Sequence, residues 1–218
     1  MKKILAPLIL LITITADAQN HLIGIKGGVS WSNASTSKYF EPYFKTGFSG
    51  GITYDYVFKK YFSTGLDITF DQRGFLEKIF FMDEDGNMTE GYISVKNNYN
   101  YISLPLKIGF QYGESLYGFL NIGIVPSFLI NGNFTSPDIY LNGILFEGEK
   151  INITKRANRF DLSGLAEIGG GYKFKGKYWL YLSFIFQHSF IPITNDNYFR
   201  KSKIRPYSMI ANIGFKYK

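Results

Sequence analysis

His188-Ser189 is the one place in this 218-residue sequence where a nucleophile stands directly beside a possible base. A serine hydroxyl attacks an ester only when a base takes its proton, so the pair raises the question of a hydrolase acting on lipid. The surrounding segment is strand-like, however, and consecutive strand residues point to opposite faces. Neighbouring strands would have to supply the missing partners. Asp83-Glu84-Asp85-Gly86-Asn87, with Glu90 beyond, has the composition of a calcium loop but not its spacing, and reads as an acidic hairpin tip. Gly169-Gly170-Gly171 lacks the Lys-Ser/Thr of a phosphate loop and lies inside a strand pattern. The sequence therefore leads to no catalytic residue, no cofactor-binding residue, no cofactor and no metal ligand.

The remaining chemistry is electrostatic. Lys26, Asp55, Asp67, Asp71, Arg73, Lys107, Asp161, Glu167 and Lys173, together with Lys45 and Lys216, occupy the hydrophilic positions of alternating segments. An eight-stranded barrel is just wide enough for side chains to fill it. Charges of both signs on its inner wall must pair, because an unpaired ion away from water is costly. The expected result is a polar plug; a narrow proton or ion path is the functional alternative.

Eight alternating segments would position these groups. Ile23, Ile25, Val29 and Trp31 oppose Lys26, Gly28 and Ser30 in the first, and Phe48, Ile52, Tyr54, Tyr56 and Phe58 oppose Ser49, Thr53 and Asp55 in the second. The third runs from Phe62, the fourth through Ile102 to Tyr112, the fifth from Leu116 to Ile130 and the sixth from Phe160 to Phe174. The seventh, Tyr178 to His188, is apolar almost throughout. The eighth closes the chain with Tyr207, Met209, Ile213, Phe215 and Tyr217 alternating with Ser208, Asn212, Gly214 and Lys216. Most are as long as the ~9–11 residues a tilted strand needs to cross a bilayer. Tight connections at Lys59-Lys60, Gly113-Glu114 and Lys175-Gly176-Lys177 alternate with long polar ones, the rhythm of short periplasmic turns and long external loops. Asp85-Gly86 and Asn142-Gly143 mark hairpins within two long loops. The fold expected is all-β: an eight-stranded antiparallel up-and-down transmembrane β-barrel with long extracellular hairpin loops. Phe80, Phe81, Phe134, Tyr140, Phe146, Tyr198 and Phe199 are expected as exposed loop aromatics able to meet a partner.

The N-terminus, Met1-Lys-Lys followed by apolar Ile4 to Ile14 and by Ala16-Asp17-Ala18, has the form of a cleaved signal peptide over residues 1–18, leaving a single barrel domain over 19–218. The cysteine count of zero excludes disulfides. A net charge of +7 is spread over turns and strands, without a basic helix or nucleic-acid module. Outer-membrane lipid and lipopolysaccharide are its natural partners, and nucleic acid is not. The 21 Phe and 17 Tyr suit a barrel whose rings sit at membrane interfaces.

Gly24-Ile-Lys-Gly-Gly-Val-Ser-Trp-Ser-Asn33, Tyr101-Ile-Ser-Leu-Pro-Leu-Lys-Ile-Gly-Phe110 and the Ala18-Gln19 junction resemble the PorT-like outer-membrane β-barrel family of Bacteroidetes. The resemblance implies an eight-stranded barrel in the outer membrane and an association with type IX secretion. It brings no catalytic residue. The expected protein is a non-enzymatic barrel with a structural, interaction or secretion-associated role, with secretion or surface proteins as further partners. A lipid-modifying barrel enzyme and a soluble lipocalin-like carrier are the alternatives, since alternation alone does not tell which face is wet.

Overall fold

The computed structural model describes residues 20–36, 41–82, 88–141, 144–194 and 203–218. Its strands are β1 (His21–Ser35), β2 (Pro42–Tyr43), β3 (Lys45–Phe58), β4 (Phe62–Met82), β5 (Met88–Ser103), β6 (Leu106–Gly113), β7 (Leu116–Thr135), β8 (Ile139–Leu141), β9 (Ile144–Phe146), β10 (Lys150–Asn152), β11 (Phe160–Phe174), β12 (Tyr178–Ser189) and β13 (Arg205–Tyr217). All pairings are antiparallel.

Eight staves close a ring. The sheet runs β13-β1-β3-β4, continues through β5 and β6 to β7, and returns through β11 and β12 to β13. The closing pair sets Ile23 opposite Tyr217 and Ser35 opposite Arg205, so the first and last strands leave no free edge. The fourth stave is β5 and β6 together. Thr69 faces Ser103 and Leu66 faces Leu106, so the register carries through the Leu104-Pro105 interruption without a slip. Proline causes the interruption: Asp67 N donates to Pro105 O at 3.0 Å, but Pro105 has no N–H to return. On the other side Leu104 N donates to Pro126 O at 2.9 Å, and Pro126 also cannot answer. The stave is one bond short on each side at the same height.

The side chains sort as a membrane demands. Ile25, Ile52, Ile68, Ile108, Ile122, Ile168, Leu182 and Ile213 point outward and are exposed, while Lys26, Asp67, Lys107, Glu167 and Asn212 are buried inside. This rules out the carrier alternative, which needs the bulky face inward. Aromatic pairs ring the short-turn end: Phe58 stacks on Phe62, Tyr61 on Phe110, and Tyr178 on Phe215. Such girdles sit at the membrane interface.

Turns and loops keep the predicted rhythm. Residues 59–61 join β3 to β4 and residues 175–177 join β11 to β12. At the other end β4 and β5 pair far beyond the belt, with Ile79 opposite Ile93, and β8 pairs only with β9 as a separate small sheet. The acidic tip at 83–87 and the Asn142-Gly143 turn lie outside the described residues.

Candidate functional site: a filled lumen

Successive inward positions on β11 are Asp161, Ser163, Leu165 and Glu167, with Lys173 near the strand's end, and they index the layers of the barrel from the external side to the short-turn side. At the level of Asp161, Arg73 crosses from β4. Its Nη1 lies 2.8 Å from Asp161 Oδ2, and its Nη2 lies 3.2 Å from Asp71 Oδ2, 3.0 Å from Ser103 Oγ and 3.1 Å from Ser127 Oγ. Ser49 donates to Asp71 at 2.7 Å, and Ser163 to Asp161 at 2.8 Å. Tyr101 presents its ring to the guanidinium, 4.8 Å from its centroid. A planar five-donor group fits this task, since it can join several strands at once.

At the level of Glu167 a second cluster forms. Asp67 Oδ2 accepts from Lys26 at 2.6 Å and lies 2.8 Å from Lys107 Nζ. Lys107 also lies 3.5 Å from Glu167, which accepts from Asn121 Nδ2 at 2.7 Å. Lys216 pairs with Asp55 at 2.5 Å. Three ammonium groups thus meet three carboxylates, a balance that a low-dielectric lumen requires.

Apolar layers separate and cap these clusters. Val125, Leu165, Ile185 and Ile210 lie between them on the β7-β11-β12-β13 wall. Leu22, Tyr117, Trp179 and Tyr181 fill the short-turn end. At the external mouth Ala34, Phe75, Tyr99, Tyr101 and Leu129 of the wall pack with Ile153, Ala157, Ile193 and Ile204 of the loops, and Ile204 is fully buried.

Of the nine predicted network residues, eight fall into these two clusters. Lys173 stands apart at the short-turn mouth, where its Nζ donates to the Gly113 carbonyl at 3.1 Å and no carboxylate pairs with it among the described residues. Lys45 is half-buried at the external mouth. The loop aromatics divide. Tyr140 and Phe146 project from the β8-β9 hairpin at 75% and 53% exposure, and Phe80 packs on Tyr92 with centroids 5.8 Å apart. Phe81 is half-buried. Phe134 is not a free loop residue: it packs on the external apolar cap, because β7 continues to Thr135 and carries it over the mouth. Tyr198 and Phe199 lie outside the described residues.

His188 and Ser189 do not meet. Ser189 points inward, donates to Asp161 Oδ1 and lies 2.7 Å from the Ile191 carbonyl, whereas the neighbouring His188 opposes Tyr207 and takes the other face. The hydroxyl is a partner of the Arg73 cluster.

A closed eight-stave ring, apolar outside, charged and filled inside, with short turns at one end and long hairpins at the other, is an integral outer-membrane β-barrel. The family model described as "Outer membrane protein beta-barrel domain" matches residues 17–195, and the chain belongs to that family. No curated protein matches it. Among solved structures it is similar to the attachment invasion locus protein Ail of Yersinia pestis, with 13% identity, 91% of this chain and 99% of that one covered, and a TM-score of 0.42. It is also similar to the outer membrane protein OprG of Pseudomonas aeruginosa, with 10% identity, 91% and 96% coverage and a TM-score of 0.46. The outer membrane protease OmpT of Escherichia coli aligns with 11% identity, 94% and 98% coverage and a TM-score of 0.46.

Proposed function

We propose that the protein is a non-enzymatic interaction barrel of the outer membrane: a filled, rigid stave ring that presents an apolar hairpin to a protein at the cell surface. The observation that carries this reading is the β8-β9 hairpin. Tyr140, Ile144, Leu145 and Phe146 are 75%, 61%, 43% and 53% exposed on a two-stranded sheet that pairs with no other strand among the described residues. Two strands with no third partner gain little stability alone, and exposed aromatic and aliphatic side chains of this size are what interface cores are made of. The filled lumen supports a scaffold role over a channel.

Cross-linking followed by pull-down from intact cells tests it. Tyr140→Ala with Ile144→Ala and Phe146→Ala should leave the barrel folded and abolish capture of the partner. Unchanged capture would sink the reading.

The resemblance of β1 and of the β5-β6 junction to PorT-like proteins of Bacteroidetes adds type IX secretion as the physiological setting; deletion should then impair export of the secreted cargo. Lipid and lipopolysaccharide contact the outward belt in this reading. Residues 1–18 act as a leader, so sequencing of the mature N-terminus should begin at Gln19.

A further inference from the structure

Below the aromatic layer at the short-turn end lies a cavity of about 330 Å³. Lys60 from the β3-β4 turn, Lys173 near the end of β11 and Lys218 at the end of the chain line it, with Trp179 and Gln111. Among the described residues no carboxylate is in ion-pair contact with any of the three lysines. Coulomb repulsion should drive such flexible side chains apart in water. Lys173 is instead fixed in place, 4.3 Å from the ring centroid of Trp179 and 4.9 Å from that of Tyr117, with one bond donated to Gly113 O. An ammonium has three donors, so two remain for something else.

Trp179 lines the same cavity with its ring under the Lys173 ammonium, so a change at that ammonium reaches the indole.

We propose that this periplasmic vestibule is an oxyanion site that takes a phosphate group, with the ammonium groups of Lys60, Lys173 and Lys218 as its donors. Several ammonium donors around one cavity suit the three acceptor oxygens of a phosphate better than the two of a carboxylate. The volume is at the low end of the ~300–1,000 Å³ of small-ligand pockets, room for a phosphate with a small substituent and not for a polymer. The girdle of Tyr172, Phe174, Tyr178 and Tyr217 sets the mouth at headgroup level. The phosphate therefore comes either from an inner-leaflet phospholipid or from a free phosphate compound of the periplasm.

The test uses the full barrel folded in a neutral detergent. The chain has two tryptophans, Trp31 and Trp179, so a Trp31→Phe background leaves Trp179 as the reporter. Sodium phosphate is titrated against sodium chloride at constant ionic strength, and the same protein is reconstituted in phosphatidylcholine vesicles with and without phosphatidylglycerol. A saturable change in Trp179 emission is expected, with its midpoint raised at least tenfold by Lys173→Gln and by Lys60→Gln, and unmoved by the rim variant Lys177→Gln. Saturation by inorganic phosphate identifies a free solute as the source. A response confined to phosphatidylglycerol vesicles identifies the lipid headgroup. No saturable change with either probe, or equal shifts in the vestibule and rim variants, would overturn the proposal. Lys60 lies in a surface turn, so its variant keeps the test open should Lys173→Gln fail to fold.

Discussion

Arg73 on β4 spans the lumen to Asp161 on β11, Nη1 to Oδ2 at 2.8 Å, and so ties two staves that share no backbone hydrogen bond. The contact does for the barrel interior what the ladder does for the wall. It also explains why Ser189, which also donates to Asp161, serves this cluster and not a hydrolytic site.

Ser189→Ala should therefore lower stability, by about 1.5–3 kcal/mol if the bond behaves as others to charged groups do. His188→Ala should leave stability unchanged. Urea unfolding of the lipid-reconstituted barrel measures both. Neither variant should alter lipid A or phospholipid composition in cells; a change in either would revive the enzyme reading.

Asp67 is fully buried and is the shared partner of Lys26 and Lys107. Asp67→Asn leaves Lys26 without its carboxylate and Lys107 with Glu167 alone, and should cost about 3–5 kcal/mol, the usual penalty for breaking a buried pair. Lys26→Met placed on top of Asp67→Asn should recover part of the loss, which would distinguish uncompensated charge from altered packing.

The external cap should unfold apart from the ring. Ile204→Asp puts a carboxylate among Phe75, Tyr99 and Ile153, where an unpaired charge is not tolerated. Protease added to intact cells should cut the loops of this variant several-fold faster, while the folded band that shifts on boiling persists. Loss of the folded band would mean that the cap supports the ring itself.

Hydrogen exchange should find the weak point of the wall. The amides of Asp67 and Leu104 donate to proline carbonyls whose residues cannot reciprocate. They should exchange faster than the amides of Ile25 and Phe215 on the closing seam, where the pairing continues without proline. Equal protection would show that the missing bonds are compensated.

Much of this was legible in the sequence because alternation reports faces directly. Ile23, Ile25 and Val29 pointed one way and Lys26 the other, and the structure places them so. The fill of the lumen was harder to read. Trp179, Tyr181 and Ile185 are inward, and this is why β12 is apolar on both faces: a narrow barrel needs volume inside as much as polarity. A count of polar inward residues could not reveal layers built from Val125 and Leu165. The separation of Lys173 from the network depends on height along β11, and alternation gives the face without the height. Phe134 was misplaced because β7 runs past the expected end at Ile130, so a residue assigned to a loop is still part of the wall.

The pair Lys216–Asp55 joins the last strand to β3, with β1 standing between them in the ring. Until β13 arrives, Asp55 lacks its ion-pair partner and the β1 edge has no mate. Lys216 delivers the charge in the same step that supplies the edge. Completion of the wall and formation of this pair are thus one event, and an assembly that stalls one strand early carries a carboxylate without its ion-pair partner as its mark of being unfinished.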